Sequence, residues 1–107
     1  MSYFRKEDLP ATEMLPGVSR RAVYLEGVML TFFDFEPGAI VPEHQHPHQQ
    51  ITWVVSGAMV FDLAGEKQTL RAGDGVLIPP GVSHSATILD EPCQALDAWH
   101  PVREDYR

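Results

Sequence analysis

With 107 residues, 44% of them hydrophobic, the chain can bury one core and not two, so it reads as a single domain over 1–107. A formal net charge of −7 argues against a nucleic-acid partner, which wants a basic face, and against a surface of anionic lipid. No apolar run nears the ~20 residues that span a bilayer, the N-terminus lacks a signal peptide's apolar stretch, and the single Cys93 excludes an internal disulfide. A cytoplasmic location and no membrane partner are therefore expected.

In chain order, residues 1–17 are polar and turn-prone, with Pro10, Pro16 and Gly17, and read as an N-terminal arm or edge segment. Two apolar-rich runs of strand length follow, Arg20 to Leu25 and Val28 to Phe35, split around Glu26-Gly27. Glu36-Pro37-Gly38 is a turn. Gln49 to Val55 and Ala58 to Leu63 are predicted to pair as a hairpin about Ser56-Gly57, and Ala64-Gly65-Glu66 turns the chain again. Lys67 to Leu70 and Val76 to Ile78 are short strands on either side of the Gly73-Asp74-Gly75 turn. After Pro79-Pro80-Gly81, strands from His84 to Leu89 and Gln94 to Trp99 complete the set. No stretch of helical period and no repeat at solenoid spacing interrupts this pattern. About eight short strands at roughly ten-residue spacing indicate an all-β sandwich or barrel. In the last strand Cys93, Ala95, Asp97 and Trp99 share one face and Gln94, Leu96 and Ala98 the other; parity alone does not choose which looks inward.

Two spans carry chemistry. From Gly38 the chain reads G-x5-H-x-H-x3-Q-x6-G, marking His44, His46, Gln50 and Gly57; from Gly73 it reads G-x5-P-x-G-x2-H, ending on His84. Two histidines one residue apart in an extended run point to the same side, and a third on a neighbouring strand can close a metal cage. Three imidazoles and one amide oxygen would hold a divalent transition metal (Ni, Zn, Mn or Fe) and leave positions open. Gln50 shares the parity of His44 and His46, which favours ligation over an amide satisfied elsewhere while water completes the shell. His48 has this parity too, but Pro47 perturbs the strand before it, so it is placed at the cavity rim. His100 reads as a strand exit without chemistry.

These spans resemble the two signature motifs of the cupin superfamily. The first departs at Gln50, where cupins usually carry Glu; in the second, a terminal Asn is replaced by Ile88. The resemblance implies a double-stranded β-helix, or jelly-roll barrel. A cage of three histidines and a glutamine is uncharged, so a divalent ion keeps its full +2 and suits an anionic substrate better than oxygen activation.

A narrower resemblance lies in His44-Gln45-His46-Pro47-His48-Gln49-Gln50, in Val54-Val55-Ser56-Gly57, and in the tail Leu96 to Asp105. These are similar to the small pectin-degradation cupins of the KdgF type, which convert cyclic 4,5-unsaturated uronates to the linear keto form. That implies ligation by His44, His46, Gln50 and His84, active-site roles for Asp97, Trp99 and Arg103, and a small anionic sugar as substrate. Phe is frequent in the family where Trp99 stands, and Glu where Gln49 stands. In elementary terms Asp97 would move protons, Arg103 would grip a carboxylate and Trp99 would stack on the ring. The alternatives are another metal-dependent activity (a dioxygenase using Fe(II) and O2, or an isomerase) and a non-catalytic sugar- or metal-binding module. Cupins of this size commonly pair through sheet edges, so a homodimer is expected.

Overall fold

Alternation of apolar and polar residues, with no helical period, shapes the chain, and the computed structural model shows ten strands over the described residues, 2–107. They are β1 Thr12–Leu15, β2 Val18–Tyr24, β3 Met29–Phe35, β4 Ile40–His44, β5 Gln49–Ser56, β6 Ala58–Leu63, β7 Glu66–Arg71, β8 Gly75–Ile78, β9 His84–Ile88 and β10 Cys93–His100. Two 3-10 turns, Lys6–Asp8 and Glu104–Tyr106, are the only helical pieces among the described residues. The strands form a six-stranded sheet ordered β1-β2-β3-β10-β5-β8 and a four-stranded sheet ordered β4-β9-β6-β7. All pairings are antiparallel, and the expected jelly-roll barrel is the architecture found.

Period-two burial shows how the barrel closes. Along β3, Met29, Thr31, Phe33 and Phe35 are buried while their neighbours are not. Along β10, Cys93, Ala95, Asp97 and Trp99 are the buried set, so the parity left open by sequence resolves inward. β10 lies between β3 and β5, bonded on both sides. The main core gathers Phe33, Phe35, Val54, Met59, Phe61 and Ile88, with Phe33 and Phe35 stacked at 5.6 Å. Burying each such side chain contributes about 1.5–3 kcal/mol. A smaller cluster of Met29, Trp99 and Val102 closes the other end. The buried polar side chains are Thr31, His46, Gln50, Thr52, His84 and Asp97.

The structure corrects two local expectations. β5 and β6 do not form a hairpin: β5 pairs with β10 and β8, and β6 with β7 and β9. Gly57 is instead the step by which the chain passes from one sheet to the other. It has φ +75°, and a Cβ there would clash with the Pro92 carbonyl and stand 2.8 Å from Cys93 Cα. A glycine between two apolar runs has the same sequence signature whether the chain reverses or crosses. Secondly, the extended run ends at His44, so His46 lies in the connection beyond β4 and not on its strand. Within the N-terminal segment, β1 pairs with β2 at the edge of the larger sheet.

Candidate metal centre and cavity

Three histidines meet inside the barrel from two directions. His44 closes β4, His84 opens β9, and the two strands pair them across from each other, with ring centroids 4.2 Å apart. His46 reaches the same point from the loop after β4, which is tied down by a bond from Gly81 N to the His46 carbonyl at 2.8 Å. The ligand atoms of all three lie within 4.8 Å of one another. Each ring is oriented through Nδ1 by a backbone carbonyl: His44 by Pro42 at 2.9 Å, His84 by Val82 at 2.9 Å and His46 by His48 at 3.2 Å. These bonds assign the Nδ1–H tautomer and leave each Nε2 lone pair free.

Gln50 completes the set from β5. Its amide nitrogen donates to Thr52 Oγ1 at 2.8 Å and to Asp97 Oδ2 at 3.1 Å, so its oxygen turns toward the histidines. Gln50 Oε1 lies 2.9 Å from His46 Nε2. With the His46 proton on Nδ1, that contact sets lone pair against lone pair. His84 Nε2 is buried and has no hydrogen-bond partner among the described residues. An orphaned imidazole nitrogen and an acceptor facing an acceptor are both satisfied by a cation, so these residues fit a divalent transition metal. Burial pushes the His84 pKa down to about 4, helped by the charges of His44, His46 and Arg103, and lowers that of His46. Both rings are neutral at pH 7, as ligation requires.

Asp97, on the inward face of β10, is the acid beside this cluster. Burial raises its pKa to about 7; the neighbouring Thr52 hydroxyl, the Arg103 charge and the Gln50 amide pull the other way. Its Oδ1 is buried without a partner among the described residues. Trp99 is fixed by a bond from Nε1 to Thr31 Oγ1 at 2.9 Å and lies edge-on to His46 at 5.2 Å. His44, Gln50, His84, Asp97, Trp99 and Tyr106 line one cavity of about 70 Å³, with Phe33, Met59 and Phe61 on its apolar side.

Arg103 does not line that cavity. Its guanidinium lies 5.0 Å above the Trp99 ring and 4.3 Å above that of Tyr106, and both of its arms bond Asp105, Nε to Oδ1 at 3.2 Å and Nη2 to Oδ2 at 2.9 Å. Burial works against ionisation of Asp105, but the Arg103 bonds outweigh it and hold the carboxyl below its ordinary value. His48 lies edge-on to Trp99 at 6.3 Å, and its backbone carbonyl orients His46. His100 is exposed, bonded through Nδ1 to the Gly27 carbonyl at 2.6 Å. Sequence reasoning missed Thr52 and Tyr106. Strand parity two residues after Gln50 would have found Thr52; Tyr106 follows the last strand, where no periodicity points.

A closed antiparallel barrel with a histidine cluster on its inner wall defines a class of small, two-sheet proteins built around an internal site. The chain belongs to the cupin family: the family model of the cupin domain matches residues 31–99. It is similar over its full length to the structure of KdgF from Halomonas sp. (32% identity, TM-score 0.94, 99% of that chain covered). It is also similar over its full length to an RmlC-like cupin from Shewanella frigidimarina NCIMB 400 (27% identity, TM-score 0.94, 96% of that chain covered). A 49-residue stretch, 45% of this chain, is 41% identical to the polyketide synthase CurC of Streptomyces cyaneus and covers 32% of it. The chain thus spans about a third of the length of the curated relatives it matches. No helix among the described residues is long and apolar enough to cross a membrane.

Proposed function

We propose that the protein opens a cyclic 4,5-unsaturated uronate to its linear keto form, with His44, His46, Gln50 and His84 holding a divalent metal. The observation that carries this reading is Asp97: a carboxyl with a pKa of about 7, its Oδ1 free, lining the same cavity as His44, His84 and Gln50. A carboxyl poised near the working pH can both take and return a proton. When bound, the metal supplies positive charge that stabilises the oxygen anion as it forms. Asp97 takes the proton of the anomeric hydroxyl, the bond between the anomeric carbon and the ring oxygen breaks, and that oxygen is left as an enolate on C5. The proton then goes to C4, so C5 becomes a ketone and no atom is gained or lost. Trp99 offers a ring held rigidly by Thr31, against which a sugar face can pack. Likeness to KdgF over the whole chain supports the choice of substrate.

The test is direct. Protein reconstituted with a divalent metal should discharge the ultraviolet absorption of the C4=C5 bond of an unsaturated monouronate and yield a keto aldehyde. Failure on every such uronate tested, with metal bound, would remove this reading in favour of a binding module.

We also propose that two copies pair through the outer face of β5 and β8. Ile51, Trp53 and Val55 alternate outward on β5 at 52%, 47% and 45% exposure, and Leu77, facing Ile51 from β8, is 70% exposed. Leu96 and Ala98 of β10 continue the same face. Apolar patches beyond roughly 300–600 Å² on a monomer mark contact surfaces. On a chain of charge −7 this uncharged face is where a second copy approaches with least repulsion.

A further inference from the structure

Tyr106 stands between Arg103 and the cavity. It lines the cavity wall, whereas Arg103 lies over its ring and outside. The Glu104–Tyr106 turn is held by side chains apart from local bonds: Arg103 paired to Asp105, Arg20 Nη2 bonded to the Asp105 carbonyl at 3.2 Å, both guanidinium groups over the Tyr106 ring at 4.3 and 4.5 Å, and that ring edge-on to Phe33 at 6.5 Å and to Trp99 at 5.7 Å.

The pair at its centre is a carboxylate on an arginine fork. Arg103 is 15% exposed and Asp105 61%, so the arginine is fixed in place and the acid is the partner free to leave. We infer that Asp105 is a specificity-determining residue: its carboxylate occupies Arg103 in the free protein, and a ligand carboxylate replaces it. The chemistry is exchange of like for like. A carboxylate restores both bonds that Asp105 gives up, whereas a neutral sugar leaves the guanidinium unpaired. The pair thereby favours carboxylate-bearing sugars over uncharged ones. This rests on the reading of Arg103 as the carboxylate's partner.

Internal competition lowers apparent affinity by the fraction of molecules in which Arg103 is free. A pair with one partner largely exposed holds weakly, so the lowering is modest. Titration calorimetry of D-galacturonate and D-galactose into metal-loaded protein is the test. Asp105→Ala should bind galacturonate roughly 3–10-fold more tightly than the parent, with galactose unchanged. Arg103→Ala should lose the galacturonate preference altogether. Unchanged or weaker galacturonate binding in Asp105→Ala, with the preference still lost in Arg103→Ala, overturns the exchange but keeps Arg103 as the carboxylate's partner. A preference that survives Arg103→Ala, or no binding by any form, overturns the underlying reading as well. Asp105 is exposed, so its loss leaves the fold intact, as an unchanged far-ultraviolet spectrum would verify.

Discussion

An uncharged amide at position 50 does two things at once: it adds no charge beside the proposed metal, and it donates a hydrogen to Asp97. Gln50→Glu changes both. The new carboxylate would face Asp97 Oδ2 across about the 3.1 Å now spanned by an amide hydrogen, so the two acids would have to share a proton. The variant should keep its metal, measured by elemental analysis, while binding anionic ligands more weakly in calorimetry; equal affinity would mean that the charge at position 50 has no electrostatic part. Asp97→Asn should keep metal and fold but lose activity by on the order of 10²–10⁴-fold, because an amide cannot carry the proton. Retained activity would remove Asp97 from the reaction. Asp97 also has a signature independent of turnover. In metal-free protein, His84 has a folded pKa of about 4 against 6.5 when unfolded, so the unfolded state binds more protons in that window and stability falls as pH drops. Asp97 runs oppositely: about 7 folded against 3.8 unfolded, so stability falls as pH rises through that range. The two slopes oppose each other between about pH 4 and 6.5. Removing one in Asp97→Asn should make Tm, followed in chelator, climb with pH more steeply than in the parent; equal slopes would place Asp97 near its ordinary pKa.

Among the elements, the runs at β2, β3, β5, β6, β7, β8, β9 and β10 were legible because alternation, apolar runs and the Gly and Pro turns that bound them survive in sequence. The pairing of those runs was not. Ser56-Gly57 looks like a hairpin turn, yet which sheet each strand joins is decided by β10 and β9, about forty-five and twenty-five residues later. The histidines illustrate the same limit. Their meeting was legible from motif spacing, but the supposed reason, shared parity, fails beyond His44: His46 arrives by a loop, and register between β4 and β9 supplies His84. Pro42 sits at the irregularity between Val41 and His44 in that pairing, where a missing N–H is tolerated. At the crossing, Gly57→Ala combines a left-handed φ with a Cβ driven into the Pro92–Cys93 backbone. Strain of this kind costs roughly 1–3 kcal/mol before the clash is counted, so denaturant unfolding should show a loss of at least that size. A variant as stable as the parent would mean that the crossing relaxes at no cost.

For the whole molecule, the uncharged outer face of β5 and β8 makes a prediction about mass. Sedimentation should find a dimer, and Trp53→Asp combined with Leu77→Asp should yield a folded monomer, since neither side chain is in the core. A dimer that persists in the double variant would place the interface elsewhere. Trp53 is well suited to such a contact: its Nε1 is already bonded to the Gly73 carbonyl at 3.1 Å, which holds its ring in place. The placement of β10 reaches further, into how the molecule is made. Thirty-six residues of chain separate β5 from β10, which lies between it and β3, and β3 waits longer still. On the ribosome, neither half of the larger sheet can be joined until residues 93–100 have cleared the exit tunnel. The nascent domain must hold Val54, Phe33 and Phe35 uncovered throughout that interval, an apolar surface open to aggregation until the last strand arrives.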